Sequence, residues 1–110
     1  MGYYSEVAIQ CNKSFSKKLK PLLDKYWRPG EYRLVTNLDD GTEVYHWSCV
    51  KWYHRFPEVS SIMKLVEDTT ADHSGKEIVA CVIVGEDGYT EEYRNDDYDY
   101  PLEACTTISY

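Results

Sequence analysis

The feature that most constrains the fold is an apolar run at residues 78–84, where nonpolar side chains occupy odd and even positions alike. Successive side chains of a β-strand point to opposite faces of its sheet, so this run needs apolar cover on both faces or a place beside an interface. The run is far shorter than the ~20 residues of a membrane-spanning helix. It therefore predicts a central strand.

A first helix is predicted from apolar residues at helical spacing, with Asn12 or Ser14 as its cap and an end at about Trp27. Pro21 lies inside this segment, so either its first turns are kinked or the regular helix begins near Lys20. The apolar stripe consists of Phe15, Leu19, Leu22, Leu23 and Tyr26.

A second helix is predicted to open at Phe56, with Pro57 and Glu58 in its first turn, where a proline and an acid are favourable. Its pattern fades at residues 68–70. The apolar positions of this helix are Val59, Ile62, Met63 and Val66.

The remaining segments alternate strand-forming residues with turn residues. The clearest turn is Asp-Asp-Gly-Thr at residues 39–42, because Asp-Gly suits the positive φ values of a tight hairpin. A second turn is predicted at residues 85–88. The predicted strands are residues 3–10, 32–38, 43–52, 77–84, 89–94 and 104–110.

These elements predict one α+β domain over residues 1–110. Two helices would pack on one antiparallel sheet in the β-α-β-β-α-β order of ferredoxin-like folds, with two extra C-terminal strands. A different pairing order of the same elements is the alternative.

Charge is distributed unevenly along a chain whose net charge is −7. Acidic residues dominate positions 86–103, where Arg94 is the one basic residue. Lysines cluster in the predicted first helix, at Lys13, Lys17, Lys18, Lys20 and Lys25. The acidic balance argues against direct binding to a phosphate backbone and favours a partner with a basic surface.

The four cysteines are Cys11, Cys49, Cys81 and Cys105. The first residues of the chain show neither the basic region nor the apolar core of a secretion signal, so we expect a cytoplasmic protein without membrane attachment. Free, buried thiols are therefore predicted, with two disulfides as the alternative.

Catalytic and metal-binding signatures are weak. His46 and Cys49 form the one close pair of suitable residue types, and residues three apart on a strand are expected to face opposite sides. No phosphate-binding, nucleophile-elbow or zinc-protease motif is present in the sequence. We therefore predict no catalytic residues, no metal and no cofactor, with an enzyme of unknown class as an alternative.

Tyrosine is the most informative excess, with eleven residues beside three tryptophans. Tyr and Trp favour protein interfaces, because each offers a large amphipathic surface. Trp47, Trp52 and Tyr53 are predicted to pack in the core; stacking on nucleic-acid bases is the alternative. The predicted partner-binding residues are Glu91, Glu92, Tyr93, Asp96, Asp97, Tyr98, Asp99 and Tyr100.

Three patches carry a family resemblance: MGYYSEVA at residues 1–8, VKWY with FPEV at 50–53 and 56–59, and VGED at 84–87. They resemble a group of small, uncharacterised phage and prophage proteins. The resemblance implies an accessory protein of the bacterial cytoplasm that binds a host protein, including defence systems such as CRISPR effectors.

The sequence thus predicts a non-enzymatic protein that binds a host macromolecule through an acidic, tyrosine-rich surface. Such a protein would inhibit a nucleic-acid-binding or defence protein by charge mimicry, in the manner of an anti-CRISPR. The alternatives are a nucleic-acid binder and a homo-oligomeric module, in which residues 78–84 and the last strand pair across a two-fold axis.

Overall fold

The structure is a computed structural model and describes residues 4–28, 30–36, 42–71, 77–94, 103–104 and 108–109. The helices are α1 (Lys13–Tyr26) and α2 (Pro57–Thr70). The strands are β1 (Ser5–Cys11), β2 (Arg33–Thr36), β3 (Glu43–Val50), β4 (Val79–Gly85), β5 (Thr90–Arg94), β6 (Glu103–Ala104) and β7 (Ile108–Ser109). Neither helix is long and apolar enough, within this described part, to cross a membrane.

The helix α1 begins at an asparagine cap. Asn12 Oδ1 accepts a hydrogen bond of 3.0 Å from the backbone N–H of Phe15. The helix then continues through Pro21, which is solvent-exposed. The structure therefore selects Asn12 over Ser14 as the cap and excludes a late start of the regular helix near Lys20.

The helix α2 begins at a proline, as predicted. Phe56 has an extended backbone, and Pro57 occupies the first helical position. A backbone N–H at this position would have no acceptor within the helix, so proline, which lacks the N–H, is favourable there. Glu58 lies in the first turn, near the positive end of the helix dipole. All four predicted apolar positions of this helix are buried.

Five strands form one sheet in the order β2-β3-β1-β4-β5, and every neighbouring pair is antiparallel. The α+β class with two helices and an antiparallel sheet is confirmed. The strand order is not that of a simple ferredoxin-like sheet, because β5 extends the sheet beyond β4. The predicted last strand over residues 104–110 is also wrong, since β6 and β7 are two short strands that pair with each other in a separate sheet.

The strand β4 is hydrogen-bonded on both of its edges, to β1 on one side and to β5 on the other. It therefore has no free edge with which to pair across a two-fold axis. That route to a homo-oligomer, predicted from the double apolar character of residues 78–84, is wrong.

The sheet has two differently covered faces. The helix face carries Val7, Tyr45 and Trp47, which form one core cluster with residues from α1 and α2. The second face carries a separate cluster of smaller side chains: Ala8, Val44, Ile78, Ala80, Val82 and Val84. Every residue of β4 is buried, so the prediction of a central strand that is covered on both faces is confirmed.

Candidate functional site

The predicted partner-binding residues divide into two groups. Glu91, Glu92 and Tyr93 lie on the edge strand β5. The other five lie outside the described residues: Asp96, Asp97, Tyr98, Asp99 and Tyr100.

The residues of β5 alternate between the two faces of the sheet. Tyr93 is paired with Cys81, lies on the helix face and packs against the core cluster there. Burial raises the pKa of its phenol, and the nearby carboxylate of Glu91 adds to this effect. Tyr93 is therefore partly buried and contributes to the packing of the helix face.

The two glutamates of β5 each lie near a nitrogen-bearing side chain. Glu91 Oε2 lies 3.7 Å from His54 Nε2, and Glu92 Oε1 lies 3.8 Å from a guanidinium nitrogen of Arg94. His54 lies in the turn just before α2. Both contacts are partly exposed and weak, and the guanidinium of Arg94 offsets part of the negative charge of the strand.

The β4–β5 turn presents the acidic groups more openly. Glu86 and Asp87 are both exposed, and Gly88 closes the turn with φ of +87°, a backbone conformation that favours glycine. The Gly85 N–H donates to the Tyr89 carbonyl over 2.7 Å, and the Tyr89 N–H donates to Asp87 Oδ1 over 3.0 Å. The turn therefore holds the Asp87 carboxylate in place beside Tyr89.

The start of β1 lies against this turn. The Glu86 N–H donates to the Tyr4 carbonyl over 3.0 Å, and the Tyr4 N–H donates to Glu86 Oε1 over 3.3 Å. Tyr4 is 40% exposed and Tyr89 is 62% exposed. Among the described residues, these two tyrosines and Leu34 are the exposed large hydrophobic side chains. We call Tyr4, Glu86, Asp87 and Tyr89 the hairpin-end surface.

An open cleft of about 550 Å³ adjoins the hairpin-end surface. Its walls include Tyr4, Glu6, Glu86 and Asp87, so three carboxylates border it. One cation is also near, because Lys51 Nζ lies 5.7 Å from the centre of the Tyr4 ring. An ammonium group on this aromatic face shows that the surface suits positive charge.

Sequence reasoning assigned Tyr4 to a strand and residues 85–88 to a turn, but it did not bring them together. The turn itself was predictable from its two glycines around Glu86 and Asp87. The pairing of Tyr4 with Glu86 joins residues that are 82 positions apart, and no local pattern predicts it.

A register shift between β1 and β3 changes the expected geometry around Cys49. Val7 pairs with Trp47, and Ser5 pairs with Val50. Between these two pairs, β3 contains one more residue than β1. Such a β-bulge redirects side chains. His46 and Cys49 consequently line the same cleft of about 290 Å³, and the prediction that they face opposite sides of the sheet is wrong.

His46 is engaged by a carboxylate on the second face, where its Nε2 lies 2.8 Å from Glu6 Oε2. Cys49 is a free, exposed thiol, whereas Cys11 and Cys81 are free and buried. Burial raises the pKa of the Cys11 thiol to about 12 and raises that of Cys81 further. The prediction of free, buried cysteines thus holds for Cys11 and Cys81 and is wrong for the burial of Cys49. The side chain of Cys105 lies outside the described residues.

The tryptophans form an aromatic core on the helix face. The ring centres of Trp27, Trp47 and Trp52 lie 5.1 to 6.0 Å apart, and Tyr32 contacts Trp47 at 5.6 Å. Trp47 and Trp52 are buried, so core packing is confirmed for both. Base stacking on them would require the helices to leave the sheet. Tyr53 lies at the margin of this core and packs edge-on against Phe56.

No family model, curated protein or solved structure matches the chain.

Proposed function

We propose that this chain is a non-enzymatic, phage-type accessory protein that binds a basic surface of a bacterial host macromolecule. The hairpin-end surface is the centre of the contact, and Asp96, Asp97 and Asp99 are proposed to contribute to the same binding. By occupying a basic groove, the protein inhibits a nucleic-acid-binding or defence protein of the host. The proposed compartment is the bacterial cytoplasm.

The observation that supports this proposal is the juxtaposition of exposed aromatic rings with exposed carboxylates. Tyr4 and Tyr89 flank Glu86 and Asp87, and backbone hydrogen bonds hold all four together. Exposed tyrosine supplies contact area at a low cost in side-chain entropy. Carboxylates beside it attract lysine and arginine and accelerate association through long-range steering.

The fold favours recognition of a surface over enclosure of a small substrate. The larger described cleft is open to solvent, and its walls mix carboxylates with the backbone of a turn. We also infer that the first six elements derive from two split β-α-β units of ferredoxin-like type, to which β5 is an addition that carries the hairpin-end surface to the edge of the sheet.

The test begins with the chain immobilised as bait in a bacterial lysate, followed by elution in steps of rising salt. The partner is expected to leave the bait between ~0.1 M and ~1 M salt, because screening weakens charge–charge attraction over this range. The dissociation constant and association rate of the purified partner are then measured with variant chains.

The decisive variant is Glu86→Gln with Asp87→Asn, which removes two charges from the hairpin-end surface. We expect association to slow about tenfold or more. The matched control is Glu67→Gln with Asp68→Asn, which removes the same charge from exposed positions on α2. Binding that is insensitive to salt, or that responds equally to both double variants, contradicts the proposal.

Two further variants of the chain show which residues take part in the contact. Neutralising Asp96, Asp97 and Asp99 together measures the contribution of the segment that follows β5. Lys51→Gln removes the cation beside the Tyr4 ring, so it should strengthen binding to a basic partner. Weaker binding of Lys51→Gln would mean that the partner is acidic.

A further inference from the structure

The main sheet ends in two edge strands, β2 and β5, and each has one side that pairs with no described strand. The side chains of these two strands differ. Three of the five residues of β5 are charged: Glu91, Glu92 and Arg94. Charged side chains on an edge strand oppose its pairing with another chain. The strand β2 has the sequence Arg-Leu-Val-Thr and carries one charge, so it has less of this protection.

The strand β2 is accessible in the folded chain. Arg33, Leu34 and Thr36 are exposed, and Val35 is partly buried. Leu34 is 44% exposed, and it is one of the three exposed large hydrophobic side chains of the described residues. An exposed leucine on a weakly protected edge strand is a suitable site for strand addition, in which main-chain hydrogen bonds hold a second extended segment.

We propose that β2 is a self-association surface, on which a second copy of this chain pairs its own β2 antiparallel about a two-fold axis. The pairing joins the two main sheets into one continuous sheet. With the axis at Leu34, the two Leu34 side chains lie opposite each other, and Arg33 lies opposite Val35 of the second copy. Leu34 pairs with Tyr45 within the sheet, so the leucine contact forms on the helix face. No like charges are directly opposite in this register.

The distribution of charge favours β2 over β5 as the contact between two copies of an acidic chain. Glu86 and Asp87 lie in the β4–β5 turn, three to four strand spacings from β2, which is about 14–19 Å. This distance exceeds the Debye length of about 8–10 Å at moderate salt. Pairing through β2 therefore keeps the acidic turns of the two copies far apart, whereas pairing through β5 would bring glutamates together.

The dimer would present two hairpin-end surfaces, at opposite sides of the joined sheet. A host partner with two basic sites would then be held by both copies at once, which raises the overall affinity. This consequence rests on the proposed function, but the dimer itself rests on β2 alone. Because β2 is short, the dimer is expected to be weak, with a Kd on the order of 0.1 mM.

Salt separates this proposal from the proposed function. Two chains of net charge −7 repel each other, and screening reduces that repulsion. Self-association should therefore stay constant or strengthen between ~0.1 M and ~0.5 M salt, whereas binding to a basic host partner should weaken over the same range. A dimer that dissociates as the salt rises would overturn pairing through β2.

Sedimentation equilibrium of the full chain between ~10 µM and ~1 mM tests the dimer, because this range spans the expected Kd. The average mass should rise from that of the monomer towards that of the dimer. Leu34→Lys should weaken dimerisation at least about tenfold, since it places two ammonium groups opposite each other. Thr90→Lys is the matched control, because it adds the same charge at an exposed position of β5. A monomer throughout the range, or equal weakening by both variants, overturns the proposal.

A disulfide cross-link tests the register. Leu34→Cys is made in a background of Cys49→Ser and Cys105→Ser, which removes the exposed Cys49 thiol and the thiol whose position is not described. Mild oxidation should yield a dimer linked through position 34, because Cβ atoms of directly opposite residues lie about 4.5–5.5 Å apart. Thr90→Cys in the same background is the control and should remain largely uncrosslinked. Equal cross-linking of both variants, or none of Leu34→Cys at ~1 mM, overturns the proposal.

Discussion

The two faces of the central sheet differ in the size of their side chains and in what lies over them. On the helix face, the rings of Trp27, Trp47 and Trp52 fill the space between the sheet and the helices. On the second face, Ala8 and Ala80 leave little distance between the sheet and whatever covers it. A helix is about 10 Å wide, so it needs large side chains to fill the gap beneath it, whereas short side chains let extended backbone approach closely.

The apolar strand β4 packs into two clusters that are expected to contribute unequally to the stability of the protein. Side chains of β4 point alternately to the aromatic core and to the smaller cluster. Large buried side chains contribute more free energy per residue than alanine and valine do. The helix face should therefore carry most of the stability, and the second face should respond more locally to substitution.

The largest effect is expected on the helix face. Phe15→Ala should lower the free energy of unfolding by about 3–5 kcal/mol, because it removes a fully buried ring and leaves a cavity. Urea denaturation followed by tryptophan fluorescence measures this change. Leu34→Ala is the control on an exposed position of β2 and should cost less than about 0.5 kcal/mol. A similar loss in both variants would contradict the assignment of the core.

The next largest effect is a loss of folding stability at high pH, which arises from groups on the helix face. The thiols of Cys11 and Cys81 and the phenol of Tyr45 lie on the helix face, and burial raises the pKa of each. Above pH 9 an unfolded thiol ionises, whereas folded Cys11, with a pKa of about 12, keeps its proton. The folded state then binds more protons than the unfolded state, so stability falls as the pH rises.

For Cys11 alone, this loss amounts to about 2–3 kcal/mol between pH 9 and pH 11. Cys11→Val should flatten the decline of the unfolding free energy over that range, as measured by urea titration at each pH. Cys49→Val is the control, since this thiol is exposed in the folded protein. An equal flattening by both substitutions would contradict burial as the cause.

A smaller effect is expected on the second face. Val82→Ala should cost about 1–2 kcal/mol, since it removes about two buried methylene equivalents from a site lined by small side chains. The same urea titration used for Phe15→Ala measures it. A loss as large as that of Phe15→Ala would show that the two faces contribute equally.

The smallest effect concerns Cys49. Iodoacetamide should alkylate Cys49 in the folded protein and leave Cys11 and Cys81 unmodified until denaturant is added. Peptide mapping by mass spectrometry identifies the modified sites. Alkylation of Cys49 should change the free energy of unfolding by less than about 0.5 kcal/mol, since the thiol is exposed. Rapid modification of Cys81 in the native protein would contradict its position in the core.

Patterns of hydrophobic spacing and turn residues were sufficient to predict both helices and the five strands of the main sheet. Each of these signals is local, such as the Asn12 cap or the stripe of α2. The sequence pattern failed at Cys49, because a bulge depends on how β3 registers against β1. It also failed at β6 and β7, which are too short to show periodicity.

The candidate site also has some features that were predictable from the sequence and others that were not. The acidic character of residues 86–103 and the turn at 85–88 were visible in the sequence, because charge and turn propensity belong to individual residues. The paired neighbours of Glu91 and Glu92 were not visible, and neither was the packing of Tyr93 against the core. Strand pairing decides which side of the sheet each of these residues occupies.

The sequence by itself determined that residues 78–84 need apolar cover on both faces, because alternation along a strand leaves no polar side. Tertiary structure alone decided that helices cover one face and that a separate cluster of smaller side chains is buried on the other. It also brought Tyr4 to Glu86 across 82 positions of the chain. The physical reason is that contacts between distant segments depend on the packing of the whole chain, which no local pattern encodes.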